Sequence, residues 1–121
     1  MRWFWIDRFE QFEPGKRAVA VKCVSLAEEH LHDHMPGFPV APNCLIIEGM
    51  AQTAGILVGQ MSNFQEKVIL AKVTRATFHR HALPGDRLLL EAVVENISDA
   101  GASIGGTVTC DREKVADIAL M

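Results

Sequence analysis

The chain has 121 residues and a mass of 13.3 kDa, a length that suits one domain and buries roughly two-thirds of its unfolded surface. Its composition, 49% hydrophobic and 22% charged, excludes a disordered or fibrous protein. The net charge is −3, with 5 basic and 7 acidic side chains in residues 1–60 and 7 and 8 in residues 61–121. No basic tail or dominant positive field points to nucleic acid.

The start, Met1-Arg-Trp-Phe-Trp-Ile-Asp7, is a short apolar run broken by Asp7 and Arg8, without the cleavage region of a secretory signal. Residues 8–24 read as a hairpin: an extended piece ends at Glu13, Pro14-Gly15 turns, and Arg17 to Val24 alternates like a strand. Residues 25–43 are expected to be irregular, because Pro36, Gly37, Pro39 and Pro42 oppose both a long helix and a regular strand.

A helix follows from Cys44 to about Ser62, with Asn43 placed as its N-cap. Gly49, Ala51, Gly55 and Gly59 recur inside it. Each internal glycine costs about 0.8–1 kcal/mol relative to alanine, so close approach by a surrounding sheet is the expected compensation. The longest apolar stretch, Met50 to Met61, contains Gln52, Thr53 and Gln60 and is too short to span a bilayer.

The remainder is strand-like: Lys67–Leu70, Ala71–His81, Asp86–Ile97, Ser103–Cys110 and Val115–Met121. Pro84-Gly85-Asp86, Asp99-Ala-Gly101 and Asp111 to Lys114 supply the turns. This order predicts one α+β domain over residues 1–121, an antiparallel sheet burying its apolar face against one long helix. The outer face and free edges then call for cover, which a second copy would provide.

Three cysteines, Cys23, Cys44 and Cys110, are too few and too far apart for a disulfide framework and fit a reducing cytoplasm. Cys44 is expected to be a buried, inert thiol. His30, His32 and His34 alternate around Asp33, but this spacing matches no familiar zinc run, and no metal is expected. His79 and His81 read as surface or rim groups, and Trp3, Phe4 and Trp5 as packing or interface groups.

The chemistry concentrates between His34 and Gln52. An imidazole on a Pro/Gly-restrained loop precedes Glu48, a carboxyl group on an otherwise apolar helix. The pair offers a base and an acid for proton transfer. Gln52 lies one turn beyond Glu48 on the same face, where it can orient the carboxyl group. Free N–H groups at the helix start, around Asn43, Cys44 and Leu45, can polarise a carbonyl.

His34-Met-Pro-Gly37, Pro39 and Leu45-Ile-Ile-Glu48-Gly-Met-Ala-Gln52 together resemble the signature of the β-hydroxyacyl-acyl-carrier-protein dehydratases. These form the FabZ/FabA-like family of the hot-dog fold superfamily. Asp7-Arg8, Glu13-Pro-Gly-Lys16, Phe78, Pro84-Gly-Asp86 and Val115-Ala116 extend the likeness over nearly the whole chain. Asp33 and Met35 replace the usual Gly and Phe around the histidine. Ala41-Pro42-Asn43 replaces the usual Met-Pro-Gly.

The resemblance implies a hot-dog fold, a sheet wrapped around a central helix. It also implies elimination of water from a 3-hydroxyacyl thioester, with His34 removing the C2 proton and Glu48 protonating the C3 hydroxyl. The Asn43 and Cys44 N–H groups would bind the thioester carbonyl, supported by Gly37, Pro39 and Gln52. No redox cofactor is implied; the substrate arrives on the phosphopantetheine arm of acyl-carrier protein. Sites shared across a homodimer, or a trimer of such dimers, also follow from the resemblance. Ile56 and Phe78 are the expected lining of an acyl tunnel, and Lys72, Arg75, Arg80 and Arg87 the expected docking patch for an acidic carrier. The competing readings are a hot-dog thioesterase, in which Glu48 activates water, and a non-catalytic partner that only binds acyl carrier.

Overall fold

The computed structural model describes residues 4–121; Trp3 lies outside the described residues. Six antiparallel strands form one sheet: β1 (Arg8–Glu13), β2 (Arg17–Cys23), β3 (Val73–Phe78), β4 (Arg87–Ser98), β5 (Gly101–Cys110) and β6 (Glu113–Leu120). Their spatial order is β1-β2-β4-β5-β6-β3. Two helices, α1 (Glu29–His34) and α2 (Asn43–Gln60), lie between β2 and β3 in the chain. No helix among the described residues is long and apolar enough to cross a membrane.

The alternation of apolar residues along the strands fixes which sheet face meets α2. Leu88, Leu90 and Ala92 of β4, Ile104 and Val108 of β5, and Ile118 and Leu120 of β6 are buried in one cluster with Ile46, Met50, Ala54 and Leu57 of α2. Burial of side chains as large as Met50 and Leu57, both fully enclosed, stabilises the fold by about 1.5–3 kcal/mol each. Thr53, also fully buried on that face, satisfies its hydroxyl by donating to the Gly49 carbonyl (2.8 Å).

Small residues let the helix approach. Ala18, Ala20 and Ala92 are completely buried. A Cβ built on Gly106 of β5 would stand 2.7 Å from the Met50 sulfur and 2.9 Å from two of its carbons. At Gly49 a Cβ would meet Leu90 at 3.1 Å and the Trp5 carbonyl at 3.3 Å. Sheet contact therefore accounts for Gly49. Gly59 is covered instead by Phe64, 3.0 Å from a built Cβ, and Gly55 faces open space.

Several expected elements shift. α2 starts one residue early, with Pro42 rather than Asn43 at the N-cap, and it runs unbroken through its glycines. It ends in a run of turns, Met61 and Ser62 donating to Val58 and Gly59, and Asn63 and Phe64 adopting positive φ. The 25–43 segment contains the short helix α1, because all three prolines lie beyond its end and Leu31 is buried to anchor it. Residues 67–70 form no strand. Pairing begins where Lys72 and Met121 exchange backbone hydrogen bonds (2.9 and 3.1 Å).

β3 closes the sheet order, pairs only with β6, and exposes five of its six residues. Its other edge is open among the described residues.

The Gly106 contact yields a stability prediction. Gly106→Ala forces Met50 off its position in a closed core and should destabilise the chain by about 1–3 kcal/mol, read as a lower urea midpoint with unchanged slope.

Candidate active site

The loop carrying the histidine is held by backbone geometry. His34 is the last residue of α1 and is exposed. Met35-Pro36-Gly37-Phe38 then makes a turn closed by the Phe38 N–H donating to the Met35 carbonyl (2.9 Å). Proline at its second position and Gly37 at φ +83° are the signature of a type II turn. Nothing lies within 4 Å of a Cβ built on Gly37, so backbone conformation rather than space requires glycine there.

Beyond the turn, half-buried Pro39 leads into buried Val40, and the Ala41 N–H donates to the Ala82 carbonyl (2.9 Å). The Phe38 ring meets the His81 ring edge-on, with centroids 5.4 Å apart. The segment holding Ala82 is itself braced. Arg80 Nη1 donates to the His81 carbonyl (2.8 Å) and to Asp86 Oδ2 (2.9 Å), while Asp86 Oδ2 also accepts from the Leu83 N–H (2.9 Å). Leu83-Pro84-Gly85-Asp86 repeats the Pro-Gly turn, with Gly85 at φ +93°. Burial works to raise the Asp86 pKa, but the Leu83 N–H and the Arg80 guanidinium outweigh it and hold the carboxyl below its ordinary range.

Buried Pro42 passes the chain into α2 without any side-chain cap. Its carbonyl accepts from the Leu45 and Ile46 N–H groups (3.0 and 3.3 Å). Asn43 and Cys44, the first two helical residues, carry N–H groups that helix geometry leaves without an intrahelical partner. Both residues are exposed. Cys44 is thus not the buried thiol expected: it stands two positions before buried Ile46, roughly 200° away around the helix.

Glu48 is half-buried one turn further on. Gln52 Nε2 donates to its Oε1 (3.1 Å), and Gln52 Oε1 accepts from the Trp5 backbone N–H (2.9 Å). Among the described residues no hydrogen bond or ion pair joins His34 to Glu48. The other histidines are engaged elsewhere: His30 pairs with Glu28 (2.9 Å), His32 meets the Leu26 carbonyl (2.6 Å), and His79 meets Asp117 (3.0 Å). No group of three or more His, Cys, Asp or Glu residues able to hold a metal ion gathers among the described residues.

A cavity of about 780 Å³ opens beside the second half of α2, lined by Ala51, Ala54, Gly55, Val58, Ile104 and Leu120 among others. Ile56, expected to line such a space, does not, and it is exposed; Phe78 packs against the core instead. Helical rotation explains the shift. Gly55, seven residues after Glu48, lies about 20° from it around the axis, whereas Ile56 lies roughly 80° away. The i+7 spacing was available in the sequence as the signal for Gly55.

The expected docking cations also divide. Lys72 and Arg75 are exposed and make no salt bridge among the described residues. Arg87 is paired with Glu10. Arg80 leaves the group: its guanidinium is committed to Asp86 and the His81 carbonyl, and its side chain is mostly covered.

The sheet, the enclosed helix and the loop leading into it define a hot-dog fold, and solved structures agree. Smu.793 from Streptococcus mutans, bound to acetyl CoA, matches with a TM-score of 0.78 at 17% identity, over 99% of this chain and 89% of that one. The E. coli PaaI protein of the phenylacetic acid degradation operon matches with a TM-score of 0.76 at 15% identity, over 95% and 75%.

Sequence comparison is narrower. Residues 3–119 match the FabA-like domain. The chain is 36% identical over 113 residues to the 3-hydroxyacyl-(acyl-carrier-protein) dehydratase FabZ of Clostridium acetobutylicum, covering 93% of this chain and 80% of that protein. It is 35% identical over 117 residues to the FabZ of Pelotomaculum thermopropionicum, covering 96% and 84%. The chain belongs to the FabA-like family.

The brace under the loop gives a pH prediction. A carboxyl group held below its unfolded pKa contributes stability above about pH 4 and loses it as pH falls through the folded value. Asp86→Asn should therefore cost about 1–3 kcal/mol at neutral pH. The gap from the unaltered protein should close as urea titrations are taken below about pH 4.

Proposed function

We propose that the chain catalyses reversible dehydration of a 3-hydroxyacyl thioester on acyl-carrier protein, giving the trans-2-enoyl thioester during fatty-acid synthesis. The observation that carries this reading is Glu48. It is a half-buried carboxyl group oriented by Gln52, one turn inside a helix whose start is uncapped and exposed. The FabZ names of the relatives support the same activity.

In this mechanism the thioester carbonyl rests on the Asn43 and Cys44 N–H groups. Their partial positive charge stabilises the enolate-like transition state more than the ground state. His34 takes the C2 proton, and the C–H electrons become the C2–C3 double bond. The C3–O bond breaks as Glu48 delivers its proton to the departing hydroxyl, releasing water. Proton return from the histidine to the glutamate resets the site. The reaction has no net redox change, so it draws on no redox cofactor.

The acyl chain runs along the face that continues from Glu48 through Ala51, Gly55 and Val58 into the adjacent cavity. His34 of one subunit works with Glu48 of another in a homodimer. The open β3 edge supports this arrangement. Lys72 and Arg75 provide positive charge for the acidic carrier. The free cysteines suit a cytoplasmic location.

His34→Ala and Glu48→Gln should each lower hydration of a crotonyl thioester on carrier protein by about 10²–10⁴-fold. Co-refolding the two variants in equal amounts should restore about a quarter of normal activity, since half the dimers then hold one intact site of two. No restoration would place both groups of a site in one subunit. Near-normal turnover by Glu48→Gln, or free thiol as the product from 3-hydroxyacyl carrier, would overturn the dehydratase reading.

Gly55→Leu should leave crotonyl turnover within about threefold while reducing turnover of a long-chain substrate by more than about tenfold, because it adds a side chain to the cavity wall. Equal effects on short and long substrates would argue against the assigned path.

A further inference from the structure

Residues 4–6 form a strap across α2, and it reaches the proposed acid through one side chain. Trp5 is buried. Its carbonyl lies over Gly49, where a Cβ would come within 3.3 Å. Its ring stands edge-on to His30 of α1 at 5.0 Å, and Lys22 Nζ sits 5.5 Å from the ring centroid. Glu28 ties these neighbours together, meeting both Lys22 (3.0 Å) and His30 (2.9 Å). Past the strap, the Asp7 N–H donates to the Val21 carbonyl (2.6 Å) and Asp7 Oδ2 accepts from the Cys23 N–H (2.8 Å). The Trp5 backbone is thus fixed from both helices and from β2.

A primary amide has two ends of opposite character, and a backbone N–H can only donate. The Trp5 N–H must therefore face the Gln52 oxygen, which turns the Gln52 NH₂ toward Glu48 Oε1. A proton on Oε1 would confront that NH₂, donor against donor. Neutral Glu48 accordingly presents Oε1 as its carbonyl oxygen and carries its proton on Oε2. Glu48 makes no other hydrogen bond among the described residues, so Oε2 is left for substrate.

We propose that the Trp5 backbone N–H is a positioning group: by fixing the Gln52 amide it selects the Glu48 oxygen that holds the transferable proton. The inference rests on the reading of Glu48 as the acid and adds a group outside the His34–Glu48 constellation. It joins the N-terminal strap to proton delivery through the Trp5 backbone.

The test replaces Trp5 by its α-hydroxy analogue, which keeps the indole and turns the amide N–H into an ester oxygen. Crotonyl-carrier hydration should show kcat lowered by about tenfold with KM changed less than about twofold. In a Gln52→Leu background, already slowed, the ester should cause no further loss. Gln52→Glu keeps an acceptor for the Trp5 N–H but loses the donor toward Glu48, so it should lose at least as much kcat. If the ester protein does not fold, full kcat in Gln52→Glu still overturns the proposal; a strap that only anchored the fold would lower the urea midpoint of the ester protein and leave its kcat intact.

Full kcat in the ester protein or in Gln52→Glu, with Glu48→Gln inactive alongside, overturns the strap proposal and leaves the acid intact. Equal ester losses with and without Gln52 overturn it as well. An active Glu48→Gln overturns the underlying reading instead.

Discussion

The close seating of α2 in the sheet is the constraint on which the rest of the molecule depends. Gly106 and the fully buried alanines of β2 and β4 clear space that Ile46, Met50 and Leu57 fill. Gly49 brings the Trp5 carbonyl and Leu90 against the helix at one level. Close packing transmits small volume changes, so a methyl group added at this contact moves the helix or the strap. Glu48 and Gln52 sit on the turns beside that contact. Their geometry is inherited from it, and a carboxyl group whose hydrogen bonds must hold to a few tenths of an ångström gains from standing on the best-buried element.

The histidine is held differently. Leu31 anchors α1, but the turn that follows His34 owes little to apolar burial, since Met35 and Phe38 are both substantially exposed. Backbone hydrogen bonds do the holding: one closes the Pro36-Gly37 turn, and one ties Ala41 to Ala82. The Arg80–Asp86 pair keeps the receiving segment in place from behind. A surface loop can stay conformationally defined this way because each turn residue has its φ preset, proline by its ring and glycine by freedom from a side-chain clash. His34 thus stands exposed at the end of α1 beside a restrained turn, while Glu48 stands on the long helix.

Much of this was legible in the residues. Alternation over Arg17–Val24 and strand-like composition beyond Ser62 placed the hairpin and the later strands, and Pro-Gly pairs marked the turns that the structure closes with i to i+3 hydrogen bonds. The span from His34 to Gln52 announced itself through residue type and the resemblance it carries. What escaped was set by tertiary contact. α1 is six residues long and no side chain caps its first N–H groups, so the Ser25-x-x-Glu28 spacing and Glu29 in its first turn are weak signals beside the burial of Leu31. Residues 67–70 have strand-like composition but no partner at that point. Arg80 reads like any surface cation until Asp86 is found 2.9 Å away, and a backbone donor such as that of Trp5 leaves no trace in side-chain identity.

Helix α2 also explains why the fold has unfinished business on one side. An amphipathic surface helix normally turns charge outward, but this one places Ala51, Gly55 and Val58 beyond Glu48 along the face that borders the cavity. Gly55 has neither a positive φ nor a neighbour within 4 Å of a built Cβ, so the folded chain itself gives no reason for its cost in helix propensity. Gly49 and Gly59 both have such a reason. The asymmetry locates the demand for space outside the chain's own packing. The proposed acyl path past Glu48 would meet that demand at the right point on the helix, since proton delivery at C3 would leave the rest of the chain heading along the same face.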